Sequence, residues 1–545
     1  MTEGIDRRTF LGSGLAAGVV GAIGPIPLAA SRLRNARPLV PPDFQLEEAT
    51  IADLQLKMQS GEHTARSLTE AYLARIEALD QDGPALRALL ETNPDALEIA
   101  DELDAERRSG HIRGALHGIP VLLKDNIETA DRMETTAGSL ALLGARPGRH
   151  AFAAGRLREA GTVILGKANL SEWANFRSTA SSSGWSARGG QAKNPYALDR
   201  TPCGSSSGSG TAVAANLCAV AVGTETDGSI VCPSSANSIV GIKPTLGLIS
   251  RSGIVPLSHS QDTAGPMART VADAAILLAA MAGADPTDPA TAESRGRLHE
   301  DYTRFLDPRG LQGARIGIPR EQFFGYSEET DRIVESAIDA LREAGAVLVD
   351  PAALPHAGEY EDSEYEVLLY DFKADVNAYL AGRPGAPVRS LSDLIHFNEE
   401  RRADEMPFFG QEIFVQAEEK GPLTEAAYLE ALEKNHRLSR AEGIDHVMDE
   451  HRLDALLAPT TSPPWTIDLV NGDHGLGGCS TPAAVAGYPH ITVPAGYAFG
   501  LPVGVSFFGR AWSEPVLIRL AYAFEQATRA RRPPGFASTA ELEAP

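Results

Sequence analysis

The chain has 545 residues, is 43% hydrophobic, and carries 49 Lys and Arg against 72 Asp and Glu, a formal net charge of −23. That length and apolar content supply one large core or two ordinary ones. The acidic excess is spread along the chain and repels a phosphate backbone, which argues against a nucleic-acid partner.

Residues 1–30 read as an export signal rather than as fold. Asp6-Arg7-Arg8-Thr9-Phe10-Leu11 is a twin-arginine start, followed by a short Gly/Ala-rich apolar stretch and small residues before Ser31. An uncut membrane anchor fits the same residues, but the shortness and glycine content of the stretch favour cleavage. The expectation is a soluble mature protein in the periplasm or outside the cell, without stable membrane insertion; no later segment approaches a spanning run.

A linker is expected over 31–45, with Pro41 and Pro42 near its end, then one domain over 46–535 and a tail over 536–545. Apolar spacing of three and four residues predicts helices between 46 and 109. Strands are predicted near Gly114–Leu123, Thr162–Leu165 and Ala219–Val222, with a Gly/Ser/Asn loop over Ser178–Ser209 and a small-residue helix over Ser209–Leu217. A strand–helix–strand unit follows from Ile316, and 359–450 is mainly amphipathic helix. Leu453–Pro459, His490–Pro494 and Gly504–Phe508 read as strands before a closing helix. Strands alternating with helices predict a single-domain α/β/α sandwich around a large mixed, mainly parallel sheet.

The chemistry concentrates in Pro202–Val231, PCGSSSGSGTAVAANLCAVAVGTETDGSIV, which contains no histidine. A nucleophilic serine there needs a base other than the usual imidazole. Lys124 ends the apolar run Ile119-Pro120-Val121-Leu122-Leu123 and is one of eight lysines in the chain. Burial lowers a lysine pKa from about 10.4 toward neutrality by disfavouring the ammonium. Taken alone, Lys124 also fits a structural lysine paired with Asp125. Ser229, in Thr226-Asp227-Gly228-Ser229, sits on a turn whose successive N–H groups can converge on an oxyanion, although an ordinary turn with a surface serine has the same pattern. Ser205 or Ser206 would relay a proton between Ser229 and Lys124. Gly204-Ser205-Ser206-Ser207-Gly208 also fits the nucleophile elbow, but the loop-like residues before it argue against that reading.

HGIPVLLKDNI, CGSSSGS and GTETDGSI occur in that order, together with GKANLSEWANFR and VAGYPHITVPAG. On these segments, over about residues 45–530, the chain resembles the amidase signature family. The resemblance implies Ser229 as nucleophile, Ser205 as bridging serine in a cis peptide, and Lys124 as base. It further implies an oxyanion hole from the backbone N–H groups of Thr226, Asp227, Gly228 and Ser229, with Ser206 as an auxiliary hydrogen-bonding residue. Cys203 and Asp227 stand where the commonest family pattern has glycine. With SSSGWSARGGQAKNPY and LLYDFKADVNAYL, these departures resemble a bacterial subgroup, the peptide amidases, which remove ammonia from C-terminally amidated peptides.

The implied substrate is an amidated peptide, and the neighbouring reading is a family member acting on small aryl or aliphatic amides. A tRNA-dependent amidotransferase subunit fits the acidic balance and the export start poorly. Trp173 and Asn175 are candidate substrate contacts, with a packing role equally open. Cys203, Cys218, Cys232 and Cys479 match no zinc spacing, and their pairing stays open. His117 and His259 read as structural, so neither metal nor cofactor is implied, and a monomer is the working expectation.

Overall fold

Short, fully apolar runs form strands where both faces are covered, and charged periodic runs form the helices that cover them. The computed structural model describes residues 43–383 and 385–542. The twin-arginine start lies outside the described residues, as does the linker up to residue 42. Those described belong to a single compact unit.

In chain order the strands are β1 (Leu89–Thr92), β2 (Pro120–Lys124), β3 (Val163–Ala168), β4 (Trp185–Ser186), β5 (Gly190–Gln191), β6 (Val220–Glu225) and β7 (Val240–Lys243). They continue with β8 (Thr263–Ala268), β9 (Arg315–Gly317), β10 (Val347–Val349), β11 (Ala455–Pro459), β12 (His490–Ala498) and β13 (Leu501–Phe508). All but the β4–β5 ribbon join one 11-stranded sheet, ordered β1-β3-β2-β6-β8-β7-β12-β13-β11-β9-β10.

The mixed sheet agrees with expectation, but its balance of directions corrects it. Among the described residues antiparallel neighbours outnumber parallel ones six to four. The parallel part around the site is β3-β2-β6. The excess comes from β7 and β8, which sequence reading did not find and which join β6 to β12 through antiparallel pairs. β8 carries Pro266 opposite Val222, and proline inside a run argues against a central strand.

Helices pack on this sheet, with Glu328–Glu343 on β12 and Val271–Met281 on β8. The first is capped by Ser327, carries Glu328, Glu329 and Asp331 in its first turn, and buries Ile333, Val334, Ala337, Ile338 and Leu341 at helical spacing. Within 359–450, Glu361–Gly382, Leu391–Glu400 and Glu412–Glu418 enclose a second apolar cluster with Leu369, Phe372, Phe414 and Trp173. The segment expected as a tail is docked as far as it is described: Phe536 is buried, its N–H donates to Pro195 O, and that of Glu541 donates to Phe499 O. Among the described residues no helix is long and apolar enough to cross a membrane.

The helix Ser207–Ala214 is buried along its whole length because its residues are small. A Cβ on Gly208 would meet Ala88 O at 2.1 Å and Asn169 O at 2.5 Å, both backbone. Gly208→Ala is therefore expected to cost about 1–3 kcal/mol of stability by overpacking. Thermal or urea unfolding checks this, and an unchanged midpoint would contradict it.

Candidate active site

The carboxyl ends of the parallel strands β2 and β6 lie side by side, the edge where open α/β sheets place their ligands. Lys124 is the last residue of β2, and Thr224 and Glu225 close β6. The helix Ser207–Ala214 packs on β6, and its N-terminal approach carries the serine cluster to this edge.

Lys124 is 0% exposed. Its Nζ lies 2.7 Å from Ser205 Oγ, 2.9 Å from Thr224 Oγ1 and 3.2 Å from Thr224 O. Asn126 Nδ2 also donates to Thr224 Oγ1, at 2.9 Å. Burial pulls the Lys124 pKa down to about 7, although Asp262 and Glu225 act in the opposite direction. Asp125 does not pair with it: that carboxylate accepts from Thr136 N at 3.0 Å and faces Arg188 at 3.4 Å. The paired-lysine reading therefore fails on geometry.

Each serine of the cluster has a distinct partner. Ser206 Oγ donates to Thr224 O at 3.0 Å and accepts from Thr224 N at 3.1 Å, so it holds the end of β6 and is no exposed elbow nucleophile. Ser207 Oγ donates to Cys203 O and Ser209 Oγ to Val222 O. Ser205, after a cis peptide from Gly204, is the member whose hydroxyl meets Lys124.

Ser206 N donates to Ser229 O at 3.1 Å, which brings the two expected loops together. Among the described residues no hydrogen bond joins the Ser205 and Ser229 hydroxyls, and none starts from the backbone N–H of Thr226, Asp227, Gly228 or Ser229. Glu225 Oε2 takes the next two N–H groups, Ile230 at 2.7 Å and Val231 at 3.0 Å. Gly228 has φ 76°, a left-handed turn in which a Cβ would meet Ser480 Oγ at 3.0 Å. The turn is further held by Thr226 Oγ1 donating to Asp262 Oδ1 at 2.6 Å and Thr481 Oγ1 donating to Asp227 Oδ2 at 2.7 Å. Burial raises the pKa of Asp227, and raises that of nearby Glu364 well above the usual range. Backbone N–H groups left without an acceptor are able to donate to a developing oxyanion, where one well-aimed donor contributes roughly 3–4 kcal/mol.

Trp173 and Asn175 separate. Trp173 is 2% exposed in the apolar cluster, edge-on to Phe414 at 6.0 Å, with an Nε1 that has no hydrogen-bond partner. Asn175 is half-buried, with an Oδ1 that has no partner. Trp173, Ala174 and Asn175 all hold left-handed φ, 50°, 56° and 69°. Such strain costs about 1–3 kcal/mol per residue and gathers at functional sites. Ala174 borders a cavity of about 10 Å³ with Asn126, Thr224 and Thr226, which sets Ala174 near the end of β6.

Sequence reading missed Asn126, Thr224, Glu225 and Asp262 as supports of the site. The first three sit inside the quoted KDN and GTETDGSI segments; Asp262 carried no local signal. His117 is buried, its ring 3.0 Å from Leu103 O, and His259 pairs with Asp375 at 3.0 Å.

A family model described as Amidase matches residues 67–518, and the chain belongs to that family. The fold is similar to a solved peptide amidase bound to the competitive inhibitor chymostatin, with TM-score 0.88 and 56% identity over 90% of this chain and 100% of that one. The native peptide amidase from Stenotrophomonas maltophilia matches with TM-score 0.86 and 55% identity over 91% and 100%. The "Probable amidase" of Arabidopsis thaliana is 45% identical over 90% of this chain and 92% of its own. The protein is thus an amidase, a hydrolase acting on amide C–N bonds.

Proposed function

We propose that this amidase hydrolyses the C-terminal amide of peptides to the free acid and ammonia. The observation that carries the reading is a fully buried Lys124 amine, with its pKa brought to about 7, in contact with Ser205 beside four unpaired N–H groups. Similarity to solved peptide amidases supports the choice of peptide amides.

A neutral amine has two N–H groups and one lone pair. Thr224 O and Oγ1 accept the two N–H groups, which leaves the lone pair for the Ser205 hydroxyl. As Ser229 Oγ attacks the amide carbon, its proton passes to Ser205 and that of Ser205 to Lys124. The carbonyl oxygen takes the negative charge and is met by the N–H groups of residues 226–229. The return of the proton through Ser205 to nitrogen releases ammonia and leaves an acyl ester on Ser229. Water, deprotonated along the same path, then frees the acid. Asn175, with its unpartnered Oδ1, is the candidate contact on the substrate side. A monomer exported by the twin-arginine route is the accompanying proposal.

Mass spectrometry of an amidated tetrapeptide tests the reading. The expected product is the intact chain with its terminal amide converted to acid. Internal fragments with the amide retained would contradict it. Comparison of a dipeptide amide with benzamide and propionamide decides against small-amide specificity if the peptide amide has the higher kcat/KM.

A further inference from the structure

Cys203 and Cys232 form a disulfide with their Cα atoms 5.9 Å apart, while Cys218 and Cys479 are free and buried. Cys203 stands two residues before Ser205 and Cys232 three after Ser229. The bridge therefore joins the two loops that carry the proposed relay and nucleophile. Among the described residues, the other direct bond between 203–206 and 226–232 is the one from Ser206 N to Ser229 O.

The backbone at residue 203 adds a second observation. Cys203 has φ 55°, a left-handed conformation that favours glycine. Keeping a side chain there is unfavourable for the backbone, and the interaction this one gains is the covalent tie to Cys232. Neither sulfur touches Lys124, whose contacts are with Ser205 and Thr224.

We infer that the Cys203–Cys232 bridge is a positioning element for catalysis, holding the Ser205 hydroxyl where it can take the proton of Ser229. The inference rests on the proposed roles of those serines. Proton transfer between hydroxyls needs an approach of about 2.6–3.2 Å, and a misplacement of about 1 Å costs on the order of a hundredfold in rate. With the bridge open, the Ser206 N–Ser229 O bond and the two bonds between Ser206 Oγ and Thr224 are left to set that distance, and none of them reaches the Ser205 hydroxyl itself.

Dithiothreitol opens the bridge by giving two electrons and two protons to the S–S bond. Cys203 and Cys232 become thiols, and the reagent closes to its own cyclic disulfide. Alkylation and peptide mass mapping establish that both thiols are free, and circular dichroism follows the fold at the assay temperature. The expected result is a fall in kcat on the amidated tetrapeptide of about a hundredfold, with KM nearly unchanged and the native spectrum kept. Reoxidation with oxidised glutathione should restore the wild type, while C203A/C232A should stay slow in either condition.

A reduced enzyme that keeps its kcat overturns the inference. So does a loss of kcat that accompanies loss of the native spectrum, because the bridge would then only stabilise the fold. Ser229→Ala run in parallel separates the two claims. If that variant is inactive while reduced wild type is fully active, only the positioning role falls; if it is active, the reading of the site falls.

Discussion

Ser229→Ala is expected to lower kcat/KM on an amidated peptide by roughly 10⁵–10⁶-fold, the scale on which loss of a catalytic serine is felt in serine hydrolases. The substitution removes the oxygen that would bond to the carbonyl carbon and leaves every N–H of the turn in place. The residual rate would come from those donors and from binding. Stability should hardly change, because the Ser229 side chain makes no hydrogen bond to the fold among the described residues and the backbone bond from Ser206 N to Ser229 O survives. Ammonia release, measured together with a melting curve, checks both parts. A folded variant within about a hundredfold of wild type would remove Ser229 from the nucleophile role.

Lys124→Ala should cost roughly 10⁴-fold, the upper range for a general base, and the wild-type pH profile should identify the same group. Burial brings the folded pKa of Lys124 down to about 7. Below that pH the amine is protonated and cannot accept from Ser205; above it the lone pair is free. Hence kcat/KM should fall as pH falls through about 7 and level off above it. Asp262 raises the Lys124 pKa, so Asp262→Asn should move this acid limb to lower pH. Lys124→Arg should not rescue activity, because a guanidinium stays protonated at any working pH. An acid limb near the ordinary carboxylate range, about 4, would assign the base to another residue.

The segments holding Lys124, the serine cluster and Ser229 were legible from an apolar run, a serine repeat and a glycine turn, while the choice of Ser205 over Ser206 came from the family resemblance. Most strands were legible for a similar reason, since runs such as Ala455–Pro459 and Leu501–Phe508 are almost wholly apolar and buried. β8 was not, because Pro266 and Gly265 break a strand pattern when read locally. In the folded sheet the β6–β8 pairing continues through them, with Gly223 opposite Gly265 and Val222 opposite Pro266. Missing β7 and β8 also skewed the expected sheet toward parallel. Trp173 and Asn175 lie two residues apart and looked alike as candidates; each keeps an unpartnered polar atom, but Trp173 is buried against Phe414 while Asn175 is half-buried.

By themselves the residues pointed to the class of chemistry: a scarce lysine behind apolar neighbours, glycine-flanked serines, and no histidine within Pro202–Val231. The tertiary structure alone decided that Asp125 pairs elsewhere and that Cys203 pairs with Cys232, and it places at the amine the Ser205 hydroxyl that the family resemblance implied. The physical reason is distance along the chain. Ser205 and Thr224 lie 81 and 100 residues from Lys124, and only the parallel pairing of β2 with β6 brings their oxygens within bonding range of a nitrogen that has been withdrawn from water.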